Sequence, residues 1–149
     1  MTRGYFGIGI YNLLNKQNLG TLWRSAYAFG ASFIFTIGRK YEHQVSDPQR
    51  VTRHMPLFSF DTIEAMRAQC PEARLIGIEY LDASIPLWSY SHPDRAIYLL
   101  GSEGQGLNRQ TLSYCQDVLY IPTALCLNVA TAGSIVLWDR ISKRRKEHQ

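Results

Sequence analysis

Long apolar runs are missing from this sequence: no stretch approaches the roughly eighteen consecutive apolar residues that cross a bilayer, so no membrane span is expected. Cysteine is scarce. Cys70, Cys115 and Cys126 are odd in number, widely separated and without a C-x-x-C spacing, which excludes a disulfide framework and reads as reduced thiols. The four histidines, at 43, 54, 92 and 148, form no H-x-x-x-H pair, so no metal is expected. No G-K-[ST] follows a glycine turn, so the lysine and magnesium-binding hydroxyl of a P-loop are lacking and a phosphotransferase is disfavoured. Met1-Thr2-Arg3 and the apolar residues up to Leu14 resemble a signal peptide. Asn12, Asn15 and Lys16 interrupt the run, and no A-x-A-like cleavage site follows. The expected location is cytoplasmic.

What is present fits a single domain. The 149 residues are near the modal domain size, and 46% hydrophobic with 19% charged residues suits a globular core. A formal charge of +4 favours a polyanionic partner weakly. No internal repeat or linker is visible.

Residues 5–11 read as a first strand, residues 19–29 as a helix with Asn18 as its N-cap and Gly30 beyond its end, and residues 32–37 as a second strand. Leu19, Leu22, Ala26 and Phe29 recur at helical spacing and are expected in the core. Residues 38–55 form a long polar connection carrying Arg39, Lys40, Arg50 and Arg53, either an arm that contacts a polyanion or a solvated loop. An edge strand over 56–60, a helix opened by Asp61-Thr62-Ile63-Glu64, and strands over 74–80, 95–100 and 118–121 follow. Residues 108–115 look helical, residues 128–142 form the closing helix, and the charged tail 143–149 is expected to fray.

Three stretches stand out. The first is Asn18-Leu19-Gly20-Thr21-Leu22-Trp23-Arg24. The second is the glycine-rich turn Leu99-Leu100-Gly101-Ser102-Glu103-Gly104-Gln105-Gly106-Leu107. The third runs from Tyr120-Ile121-Pro122 to Cys126-Leu127-Asn128-Val129-Ala130. Glycines in the second let main chain approach a ligand closely, and strands feed the second and third, as at ligand sites of open α/β sheets. The order Gly101-x-x-Gly104-x-Gly106 reverses a dinucleotide fingerprint and comes late in the chain. Asn128 also reads as an N-cap of the closing helix, which leaves room for a second task.

In this order and at these intervals the three stretches resemble the motifs of the SpoU, or TrmH-type, branch of the SPOUT RNA methyltransferases, over about residues 6 to 140. The resemblance implies an α/β fold, a parallel-sheet α/β/α sandwich with a C-terminal deep trefoil knot. It implies a homodimer that binds S-adenosylmethionine and methylates a ribose 2′-hydroxyl of RNA, tRNA ahead of rRNA. Carried over by position, Asn18, Arg24, Glu103 and Asn128 become catalytic-site residues, while Leu99, Leu100, Gly101, Gly106, Tyr120, Ile121, Cys126 and Leu127 become cofactor-binding residues. With no appended RNA-binding domain expected, RNA contact falls to Arg39, Lys40, Arg50 and Arg53 and to the dimer partner. A guanidinium with a pKa above about 12 is not a base, so Arg24 is expected to clamp a phosphate and stabilise a developing alkoxide. The third motif usually reads Ser-Leu-Asn-Val-Ser, and Cys126 and Ala130 replace its serines here. The competing expectation is a non-catalytic RNA-binding or assembly protein that kept the fold.

Overall fold

The computed structural model describes residues 4–38 and 54–147. Seven strands alternate with helices: β1 Tyr5–Tyr11, α1 Lys16–Ala28, β2 Phe33–Ile37, β3 Leu57–Phe60, α2 Ile63–Gln69, β4 Arg74–Ile78, β5 Ile85–Pro86, β6 Arg95–Leu100, α3 Arg109–Leu112, β7 Asp117–Tyr120 and α4 Val129–Glu147. They form one sheet in the order β3-β2-β1-β6-β4-β7-β5. Every pairing in it is parallel.

A parallel sheet is covered on both faces, so its central strands are apolar on both sides. Alternation along β6 shows this directly. Ala96, Tyr98 and Leu100 join Ile8 and Ile10 of β1 beneath α1 and α4, packing on Leu19, Leu22, Val136 and Leu137. Ile97 and Leu99 point the other way, into a second cluster with Phe35, Leu75, Ile63 and Met66 under α2. The expected core positions Leu19, Leu22 and Ala26 are fully buried, and Phe29 packs at the edge of the first cluster.

Several boundaries depart from expectation, the short strand β5 was not expected, and two departures matter for the site and its scaffold. Helix α1 opens three residues early: Asn15 is its N-cap, its side chain accepting from the Gln17 amide at 2.9 Å. Asn18 therefore lies inside the helix, buried. Polar residues at 15–17 hide the true start from a reading keyed to the first apolar repeat.

At the other end α4 continues to Glu147, so residues 143–147 of the expected frayed tail are helical, and 148–149 lie outside the described residues. Its basic residues find acceptors on the 87–94 connection: Lys143 donates to the carbonyls of Leu87 and Tyr90 at 2.6 and 3.0 Å, and Arg144 to Asp94 at 2.5 Å. Arg140, 3% exposed, donates to the carbonyls of Pro93 and Asp94 and lies over the Phe6 ring at 4.7 Å. Cations in a last helical turn also suit the helix dipole.

Candidate active site

Parallel pairing makes β1, β4, β6 and β7 end on the same edge of the sheet. Register places Ile78 beside both Leu100 and Leu119, so the turns after β4, β6 and β7 leave side by side. The three stretches separated in sequence converge there.

A chain of polar side chains links them. The side-chain oxygen Oδ1 of Asn128 caps α4, accepting from the amides of Ala130 and Thr131 at 2.9 and 3.1 Å. That leaves its Nδ2 to donate to Asn18 Oδ1 at 2.9 Å. Asn18 must then turn its own Nδ2 outward, and it donates to Glu103 Oε1. The helix cap thus determines the orientation of two amides and one carboxylate. Glu103 Oε2 is buried with no hydrogen-bond partner among the described residues, an acceptor left open inside the cluster. Leaving such a group unsatisfied costs about 1–3 kcal/mol, more for a charged one, so the site favours a ligand that brings a donor.

Beside this cluster is a cavity of about 400 Å³, mostly apolar, at the ends of β4 and β7. Tyr120, Ile121, Cys126 and Leu127 line it, as do Glu79 and Tyr80. Tyr80 and Tyr120 meet edge to face at 5.2 Å. Thr123 donates to the Leu125 carbonyl at 2.7 Å and shapes the connection that closes one wall. A cavity of this size and character suits a small organic ligand held by a few polar groups.

The glycine turn needs its glycines for different reasons. Gly104 and Gly106 adopt φ of 82° and 65°, the left-handed region that disfavours other residues. Gly101 has no such need: a side chain there would overlap the main chain of Gly106, which donates to the Ser102 carbonyl at 3.1 Å to close the turn.

A model of the SpoU rRNA Methylase family matches residues 6–138. The chain belongs to that family. Its relatives include tRNA/rRNA methyltransferases described as uncharacterised, from Mycobacterium tuberculosis strain H37Ra, 27% identical over 95% of this chain, and from Mycobacterium ulcerans, 25% identical over 93%. The chain spans 47% of each, about half their length.

Solved structures of low identity share the fold. The A. aeolicus TrmH/SpoU tRNA modifying enzyme superposes with a TM-score of 0.84 at 16% identity, over 98% of this chain and 78% of that one. AviRb of Streptomyces viridochromogenes, a SpoU methyltransferase solved with AdoMet, gives 0.80 at 21%, over 98% and 63%. A protein solved for 2-OH methylation of C/U34 on tRNA gives 0.79 at 21%, over 98% and 99%.

In this SpoU chain the structure gathers Asn18, Glu103 and Asn128, and it lines the cavity with Tyr120, Ile121, Cys126 and Leu127. Leu99 and Leu100 are core side chains, 0 and 2% exposed, so Leu99 does not pack on a ligand. Both faces of β6 are covered, and only the strand's main-chain end reaches the site. Arg24 is exposed on α1 and makes no ion pair among the described residues. Six residues on from Asn18, it stands about 9 Å further along the helix and roughly 120° around it. Arg39, Lys40, Arg50 and Arg53 lie outside the described residues. Among the described residues no group of three His, Cys, Asp or Glu side chains could hold a metal, and no helix is long and apolar enough to cross a membrane.

Glu79 escaped the sequence reading. It follows β4 as a single acidic residue in an otherwise apolar strand end, and the only signal was its place at that carboxyl end.

Proposed function

We propose that this SpoU protein is an S-adenosylmethionine-dependent RNA methyltransferase acting on a ribose 2′-hydroxyl, in tRNA ahead of rRNA, as a cytoplasmic homodimer that needs no metal. The observation that carries this is the hydrogen-bonded chain from exposed Asn128 through buried Asn18 to Glu103, beside the apolar cavity at one sheet edge. The bound cofactor supplies an electrophilic methyl group on a sulfonium.

The residues present fit such a ligand. Tyr120, Ile121 and Leu127 offer apolar surface, and the ends of β4, β6 and β7 offer main-chain groups. Cys126 stands where the family usually has serine, a weaker hydrogen-bond partner, so holding falls to main chain. Glu103 offers its open oxygen to a donor. Arg24, exposed and unpaired with any carboxylate among the described residues, clamps the acceptor's phosphate and stabilises negative charge developing on the hydroxyl oxygen. It stays protonated throughout, and the proton leaves to phosphate, water or another group.

A second copy would cover Tyr27 on α1 and Ile135 and Trp138 on α4, which are 46, 37 and 58% exposed. Arg39, Lys40, Arg50 and Arg53 add phosphate contacts in this reading, and the passage from β7 to α4 threads the 101–107 turn as a trefoil knot. The tRNA 2-OH methylation named for a fold neighbour of the same length supports the choice of acceptor.

Tritium transfer from methyl-labelled S-adenosylmethionine to total RNA tests the proposal. Label that enters tRNA and survives in alkali-resistant dinucleotides supports it. Label in bases would move the acceptor, and RNA binding without transfer would favour the non-catalytic reading, toward which the missing serines at Cys126 and Ala130 point.

A further inference from the structure

The cavity's one acidic or basic lining residue is Glu79. Its environment is unusual for a carboxylate on an apolar wall. Oε1 accepts from the Tyr80 amide at 3.1 Å and Oε2 from the Leu107 amide at 2.9 Å. No cation pairs with it in any ion pair of the described residues. Its backbone is held as well: its amide donates to the Leu119 carbonyl at 2.9 Å, and its carbonyl accepts from Ser84 Oγ at 2.9 Å. A side chain at Gly106 would overlap its carboxylate, so glycine there leaves room for this group.

A carboxylate has about four acceptor positions, two on each oxygen. Two are taken here, one per oxygen, by main-chain amides that hold the group rigid. One position remains on each oxygen of a residue that lines an apolar cavity. Two adjacent acceptors suit two donors on adjacent atoms, the geometry that makes paired contacts to carboxylates strong. A neutral vicinal diol meets that demand without a second charge. Carboxylates at strand ends of α/β sheets take ribose hydroxyls on the same physical grounds.

We propose that Glu79 is a binding residue of the cavity, accepting the 2′- and 3′-hydroxyls of a ribosyl ligand. This rests on the methyl-donor reading, since S-adenosylmethionine carries such a diol. Because Oε2 also holds Leu107, at the end of the turn that carries Glu103, the same carboxylate ties ligand to the catalytic turn. Glu79 thus serves affinity and positions Glu103, although none of the three motifs contains it.

The test is calorimetric binding of S-adenosylhomocysteine and its 2′-deoxy analogue to wild type, Glu79→Gln, Glu79→Ala and Glu79→Asp. The natural sugar should bind wild type roughly tenfold more tightly than the deoxy sugar, as for loss of a hydrogen bond to a charged group. The preference should fall to near unity in Glu79→Gln and Glu79→Ala and return in part in Glu79→Asp. The wild-type comparison alters only the ligand, so a misfolded variant cannot hide the answer. A wild-type ratio near unity overturns the proposal. So does an equal loss for both ligands in the variants, which would mean that Glu79 only braces the turn. If wild type binds S-adenosylhomocysteine but ignores the hydroxyl, only this inference fails. If it does not bind at all, the methyl-donor reading fails with it.

Discussion

Asn128 and Asn18, 110 residues apart in sequence, share a 2.9 Å hydrogen bond whose direction is determined by the capping of α4. One side chain therefore caps α4 with its oxygen and orients Asn18 with its nitrogen. Because the cap occupies the Asn128 oxygen and the partner uses its nitrogen, the two tasks are separable by mutation.

Asn128→Asp keeps a capping oxygen and removes the donor, setting an oxygen against Asn18 Oδ1. Stability measured by urea unfolding is expected to stay within about 1 kcal/mol of wild type. Methyl transfer is expected to fall by roughly 10- to 100-fold as the amide of Asn18 turns away from Glu103. Asn128→Ala loses the cap too and should cost about 1 kcal/mol more. Equal activity in Asn128→Asp would detach this chain from catalysis.

Arg24→Ala removes an exposed side chain with no ion pair among the described residues, so its unfolding free energy should shift by less than about 0.5 kcal/mol. Methyl transfer should fall by more than about 100-fold, with calorimetric donor affinity kept. Arg24→Lys should not restore the rate, because an ammonium lacks the fork geometry for phosphate. Loss of donor affinity would place Arg24 in the wrong role.

Gly101→Ala tests the turn. The added carbon overlaps the main chain of Gly106 and not the ligand space, so the harm should come through displacement of the turn. Amide exchange across residues 102–107 should accelerate, and donor affinity should weaken by roughly tenfold or more. A side chain here therefore acts on turn closure first.

A pH dependence of stability follows from His92. Its ring is buried, hydrogen-bonded through Nδ1 to Tyr98 at 2.6 Å and through Nε2 to Asp139 at 2.8 Å, with Arg140 and Lys143 nearby. Burial holds its pKa below the ordinary 6.5, against the pull of Asp139, and burial also pushes Tyr98 up to about 12. The unfolded chain protonates this histidine first as pH falls, so stability is full above the unfolded value and is lost as pH drops through it towards the folded one. Urea unfolding at about pH 7.5 and about pH 5.5 should show a larger loss for wild type than for His92→Gln. Equal losses would assign the acid sensitivity to other groups.

How much of this was legible beforehand depended on which interactions are local. Strand β6 was read to its residue bounds because Arg95-Ala96-Ile97-Tyr98-Leu99-Leu100 is a short apolar run between turn formers. Helix α4 was read too short, since the acceptors for Lys143 and Arg144 lie some fifty residues away. Asn18 was misread as a cap because Asn15 has the same capping chemistry three residues earlier.

The sequence by itself determined the alternation of strands and helices, the three motif stretches and the identities of Asn18, Glu103 and Asn128. These follow from residue type and short-range spacing, which any reading of the chain can reach. Only the tertiary structure decided that Leu99 serves the core, that Glu79 faces the cavity, and that the cap of α4 orients an amide on α1. Such facts depend on which side chain meets which across the sheet, and a parallel sheet brings residues together without leaving a trace of that meeting in local sequence.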